Sequence, residues 1–127
     1  MKIAINDRRK IQAIQESFSE MFPYLKIEFF SKPHKPGDPL PKKLMKSSSM
    51  TIGECRTVRS NGTMTILPNM TVTDITQGFS ETFGLSVQVF RKSGEIWLET
   101  STTVNWTLSE ENRVGEEMSR PVSEGDL

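Results

Sequence analysis

A segment near residue 20 returns near residue 80. Phe18-Ser19-Glu20-Met21-Phe22 recurs as Phe79-Ser80-Glu81-Thr82-Phe83, 61 positions later. Upstream, Ile5 matches Ile66, Ile11 matches Val72 and Ile14 matches Ile75 in the same register. Downstream, after a slip of one residue, Leu25-Lys26-Ile27-Glu28-Phe29-Phe30 matches Leu85-Ser86-Val87-Gln88-Val89-Phe90. Self-similarity at a fixed offset restricts a chain to architectures built from two copies of one unit.

The unit can be read from its periodicity. Ile3 and Ile5 alternate with polar or small neighbours, as in a strand. Ile11, Ile14, Phe18, Met21 and Phe22 then fall on one face of a helix that Pro23 ends, and Asn6 or Asp7 can cap its start. Leu25, Ile27 and Phe29 alternate in a second strand. The second copy repeats this: Thr63–Leu67, a helix over 72–83 that starts at a Thr71…Asp74 capping arrangement and stops at Gly84, and a strand through Leu85, Val87 and Val89. Lys92-Ser93-Gly94 turns that strand back into Ile96-Trp97-Leu98. Asn61-Gly62 predicts a hairpin between Glu54–Val58 and Thr63–Leu67. Thr107…Glu110 is a capping box for a last helix whose apolar face, Leu108, Val114 and Met118, is thin.

Two strand–helix–strand units predict an α+β fold: a ferredoxin-like duplicated βαβ (split βαβ) sheet with helices on one face. An extra hairpin strand and a C-terminal helix are added to it. The expected core is Ile3, Ile5, Ile11, Ile14, Phe18, Phe22, Ile27, Phe29, Ile66, Ile75, Phe79, Phe83, Val87, Val89, Ile96 and Leu98. Lys26, Glu28, Ser86 and Gln88 should face away from the helices. One domain spans 1–120, with a long Pro/Lys/Ser-rich loop at 31–50, and 121–127 is a tail.

With 127 residues the chain can bury a core without disulfides or structural metal. Its 16 Lys and Arg balance 16 Asp and Glu, whereas dedicated nucleic-acid binders carry a basic excess, so nucleic acid is an unlikely partner. The single cysteine, Cys55, permits no internal disulfide and suits a reducing compartment. No apolar run is long enough for a membrane span or a signal segment, so a cytoplasmic location is expected. No metal-ligand spacing and no Gly-rich phosphate cradle occur, so no cofactor or metal is expected.

Four features stand as candidate sites. Cys55 beside Arg56 could be an activated thiol with His34 as its base, which would make a thiol-dependent enzyme; free cysteines are more often small buried groups. Arg8, Arg9 and Lys10 at a helix start could hold an anion with the free N–H groups there, or could simply be solvated. Lys32, Lys35, Lys42, Lys43 and Lys46 give the stretch 32–46 a charge of +4 after Asp38, while 107–127 carries −4. This asymmetry could draw an anionic or nucleic-acid ligand to the loop, or draw the two segments together within or between copies. Phe30, Phe90, Trp97 and Trp106 are candidate interface aromatics. No convergent set of titratable groups emerges. An interaction module, binding a second copy or another protein, therefore fits better than an enzyme.

Ile52-Gly53-Glu54-Cys55-Arg56, Gly84-Leu85-Ser86-Val87-Gln88-Val89-Phe90-Arg91-Lys92-Ser93-Gly94, Trp97-Leu98-Glu99-Thr100 and Trp106-Thr107-Leu108 carry a resemblance. Through these residues the chain resembles a family of small, uncharacterised bacterial proteins with no assigned activity. The resemblance covers residues 1 to about 120. It implies one domain and supplies no catalytic residues.

Overall fold

In the computed structural model, described for residues 1–31, 45–56 and 60–120, the repeat folds as two copies that pair with each other. The first copy gives β1 (Lys2–Ile5), α1 (Ile11–Met21), β2 (Leu25–Phe30) and a short α2 (Ile52–Cys55). The second gives β3 (Gly62–Thr65), α3 (Val72–Phe83), β4 (Ser86–Ser93), β5 (Ile96–Glu99) and α4 (Leu108–Ser119).

The fold is α+β, and among the described residues its strands form two antiparallel sheets rather than the single ferredoxin-like sheet expected. β1 pairs antiparallel with β3, and β2 pairs antiparallel with β4, which pairs with β5, as two separate ladders. The two registers carry the duplication. Ile3 lies opposite Met64, its own repeat mate, and Glu28 lies opposite Gln88, its mate after the slip. A local two-fold axis therefore passes through the centre of each ladder. Each copy contributes to both ladders, the second copy giving both β4 and β5 to the larger one, so the halves are interleaved rather than side by side.

The equivalence extends beyond strand–helix–strand. The Ile11 N–H donates to Met50 O and the Ile52 N–H to Arg9 O; in the second copy Val72 donates to Trp106 O and Leu108 to Met70 O. Gly53 donates to Asp7 O as Ser109 does to Pro68 O, and Gln12 to Ser48 O as Thr73 does to Val104 O. Met45 bridges Phe30 on the outer side of β2 as Glu99 pairs with Phe90 on the outer side of β4. Hence α4 is not an addition to the core motif: it is the longer counterpart of α2. Each unit is strand, helix, strand, edge segment, helix.

Local chemistry accounts for the boundaries. Thr51, Thr71 and Thr107 each accept from the N3 amide, while Glu54, Asp74 and Glu110 reach back to the cap: three capping boxes start α2, α3 and α4. α1 begins at Ile11, later than the expected residue 7. Asn6 Oδ1 takes the amides of Arg8 and Arg9 in a side-chain turn, and Lys10 stays extended to bridge Thr51. Gly84 closes α3 in the left-handed region at φ 64°.

Among the described residues the hairpin expected around Asn61-Gly62 does not form. Residues 52–55 are helical, and β3 pairs with β1, so the Asn-Gly signal loses to a long-range partner. Residues 57–59, which include Val58, lie outside those described.

Ile3, Ile5, Ile11, Ile14, Phe18, Phe22, Ile27, Phe29, Ile66, Ile75, Phe79, Phe83, Val87 and Val89 form one buried core, joined by Leu25, Ile52, Met64, Val72, Leu85 and Leu108. Phe29 of β2 meets Phe79 of α3 edge-on, ring centroids 6.0 Å apart. Two expected core residues fall outside: Ile96 is 59% exposed and Leu98 is half-buried. They share a face with Val89 by pairing, but sit at the hairpin end of the outermost strand.

Candidate functional site

β4 turns into β5 through Gly94-Glu95, with Gly94 at φ 63°. A two-residue loop with glycine first fits the twist of paired strands. Register then assigns the faces, because directly opposed residues share one. Val87, Val89 and Arg91 face the helices. Lys26, Glu28, Phe30, Ser86, Gln88, Phe90, Lys92, Trp97 and Glu99 lie on the opposite, outer face.

The outer face has an aromatic and cationic centre. Lys26 Nζ lies 5.4 Å from the Phe90 ring and 5.0 Å from the Trp97 ring, and 3.7 Å from Glu28 Oε1. An ammonium over two ring faces is attracted by their quadrupoles. With Met45, Glu95 and Ile96 these residues line an open groove of about 410 Å³. Trp97 is 36% exposed beside the more exposed Ile96. Gln88 shares the outward parity expected of it, yet is buried and donates to Val89 O.

The interface aromatics therefore divide. Phe90 and Trp97 meet at the groove. Phe30 is buried at 2% and presents little surface. Trp106 lies elsewhere, against the Arg91 guanidinium at 5.6 Å and on the helix-bearing side. No protein family, curated protein or solved structure matches the chain.

The thiol candidate meets opposing chemistry. Cys55 ends α2 half-buried, and burial pushes its thiol above the usual 9.0; Lys46 pulls it back and Glu54 pushes it further up. A reactive cysteine needs the reverse shift. Its proposed base, His34, lies outside the described residues. We expect native Cys55 to react with iodoacetamide at neutral pH at least about 10-fold more slowly than in the unfolded chain. Equal rates would contradict a sheltered thiol.

Arg56, beside it, is structural. Its guanidinium is fully buried and donates to Asp7 Oδ1 through Nε and Nη2, to Ser60 O and Phe83 O through Nη1, and to Asn61 Oδ1 through Nη2. This side chain ties β1's exit, α2, the approach to β3 and the end of α3 together. Periodicity does not reveal it.

The first amides of α1 are already occupied. Ile11 and Gln12 donate to Met50 O and Ser48 O, and Ala13 donates to Lys10 O. The N–H cradle expected beside Arg8, Arg9 and Lys10 is thus consumed by backbone. Of the loop lysines, Lys32, Lys35, Lys42 and Lys43 lie outside the described residues. Lys46 is half-buried, and its amide donates to Phe29 O at 2.7 Å. Among the described residues no group of three or more His, Cys, Asp or Glu side chains is placed to hold a metal, and no helix is long and apolar enough to cross a membrane.

One buried charged pair leaves no periodic trace in the sequence. Glu111 of α4 is wholly buried with Oε1 3.5 Å from Arg91 Nη1. Burial pushes its carboxyl above the ordinary 4.5, while Thr103 and Arg91 pull it back. A raised carboxyl pKa means the folded state holds the proton more tightly. The stability it contributes is complete below the unfolded value and is lost as pH rises through the folded one. Glu111→Gln should therefore gain on wild type as pH climbs from acidic to neutral, read as a shift in urea midpoint. A gap independent of pH would contradict this.

Proposed function

We propose that the chain is a non-enzymatic interaction module that docks an apolar or aromatic side chain of a protein partner in the outer-face groove. The observation that carries this reading is the convergence of Trp97, Phe90, Ile96 and Met45 around Lys26, with Glu95 at the rim. An aromatic anchor point edged by polar groups is the form that binding hot spots take. Lys26 already lies against both rings, which holds the aromatic walls in place before a partner arrives. A cytoplasmic setting and kinship with the small bacterial proteins the chain resembles belong to the same proposal.

Outer-face charge favours a protein over a nucleic acid. Lys26 and Lys92 are balanced there by Glu28 and Glu99, with Glu95 adjacent. Single-strand binders combine their stacking aromatics with a basic groove, and among the described residues this face is not basic. The alternative of anion or nucleic-acid binding through 32–46 rests on sequence charge alone.

Selection of displayed random peptides on the immobilised protein tests the reading. The wild type should enrich peptides sharing a bulky apolar anchor, and Trp97→Ala should lose them at least about 10-fold, the scale of one interface anchor. No enrichment, or enrichment indifferent to Trp97→Ala, would overturn it.

A further inference from the structure

β5 is the last strand of its ladder, and its hydrogen bonding fixes which backbone groups point outward. The Thr100 N–H donates to Val89 O, toward β4, while the Lys92 N–H donates away from β5 to Tyr24 O. Antiparallel pairs alternate between bonded and non-bonded. Ile96, Leu98 and Thr100 thus bond inward to β4, and the N–H and C=O groups of Trp97 and Glu99 point out from the sheet. Among the described residues no hydrogen bond takes up those outward groups. A strand edge of this kind is a template for another strand.

We propose that β5 pairs antiparallel with β5 of a second copy, Trp97 opposite Glu99, extending the β2-β4-β5 ladder across a two-fold axis at Leu98. This goes beyond the groove reading, since the pairing uses the outward backbone groups of β5 and not the groove. The register follows from charge. A bonded two-fold must place outward-pointing residues opposite one another. Centring on Trp97 sets Glu95 against Glu99, and centring on Glu99 sets Glu99 against itself. Like charges directly opposed destabilise a ladder. Of the centres from Trp97 to Glu99, only Leu98 avoids both: Ile96 then faces Thr100, Leu98 faces Leu98, and Glu99 arrives beside the Trp97 ring that carries the Lys26 ammonium. Half-buried Leu98 and exposed Ile96 both gain cover. The contact is isologous and closed, so it stops at a dimer.

Sedimentation equilibrium across a dilution series should show a reversible dimer. Glu99→Pro removes an outward N–H that the monomer's own ladder does not use, and proline is tolerated at such edge positions. It should raise the dissociation constant by about 10-fold or more with circular dichroism unchanged. In a Cys55→Ser background, Leu98→Cys tests the register without depending on how the proline variant folds. Non-bonded antiparallel partners lie about 4.5 Å apart at Cα, within the disulfide range of roughly 4.4–6.8 Å. Mild oxidation should therefore give a covalent dimer, and Ile96→Cys should not. A strict monomer at millimolar concentration would overturn the pairing. So would a dimer that survives Glu99→Pro and fails to cross-link through position 98. Neither result touches the peptide selection, whose loss at Trp97→Ala reads the groove itself.

Discussion

Arg56→Ala lowers the free energy of unfolding by about 3 kcal/mol or more. The guanidinium is fully buried, and its donors reach Asp7, Ser60 O, Asn61 and Phe83 O. Truncation strands a buried acceptor at Phe83 and separates Asp7 from its counter-charge. It also loosens the junction of segments that are distant in sequence. Arg56→Lys recovers little, since one ammonium cannot span the fork that a planar guanidinium fills. Urea unfolding followed by circular dichroism measures both variants. A loss within about 0.5 kcal/mol, as for ordinary surface positions, would show the network to be dispensable.

Phe18→Ala and Phe79→Ala should each cost about 3–5 kcal/mol, a large share of the stability of a domain this size. The two rings are repeat mates, and both are wholly buried. Phe18 packs on Phe22 at 5.3 Å and Phe79 on Phe29 at 6.0 Å. The cavities left behind lie in one continuous core between interleaved units, so both costs should fall in that range. Ile96→Ala, at the exposed hairpin end, should cost less than about 0.5 kcal/mol. One phenylalanine costing several times the other would argue that the halves are not equivalent.

What the sequence reveals follows the range of the forces involved. The Thr71 and Thr107 boxes, the faces of α1 and α3 and the turn at Gly94 depend on neighbours a few residues apart, and all are legible. Thr51-Ile52-Gly53-Glu54 carries the same capping signature but precedes a single turn of helix, so a reading by strand alternation passes over it. The Asn61-Gly62 hairpin fails for a non-local reason. Gly62 pairs with Ile5, and Asn61 Oδ1 accepts from Arg56. Arg56–Asp7 and Arg91–Glu111 join residues far apart in sequence with no periodic trace. In β5, alternation alone permits either Trp97 and Glu99 or Ile96 and Leu98 to face the helices. Only the pairing of Lys92 with Trp97 resolves it and places Trp97 beside Lys26. The duplication is the strongest signal in the sequence, and its offset, slip included, reappears in the registers of the two ladders. It does not foretell that the copies exchange strands, because exchange depends on which edges meet.

The groove is tested most directly by the fluorescence of its own tryptophan. In Trp106→Phe protein Trp97 is the only indole, and in Trp97→Phe protein Trp106 is. Titration with a peptide selected on the wild type should shift the emission of the Trp97-only protein to the blue and reduce its quenching by acrylamide, since the anchor excludes water from that ring. The Trp106-only protein should show no shift on peptide addition. A response from Trp106 with none from Trp97 would place binding on the helix-bearing side and contradict the account.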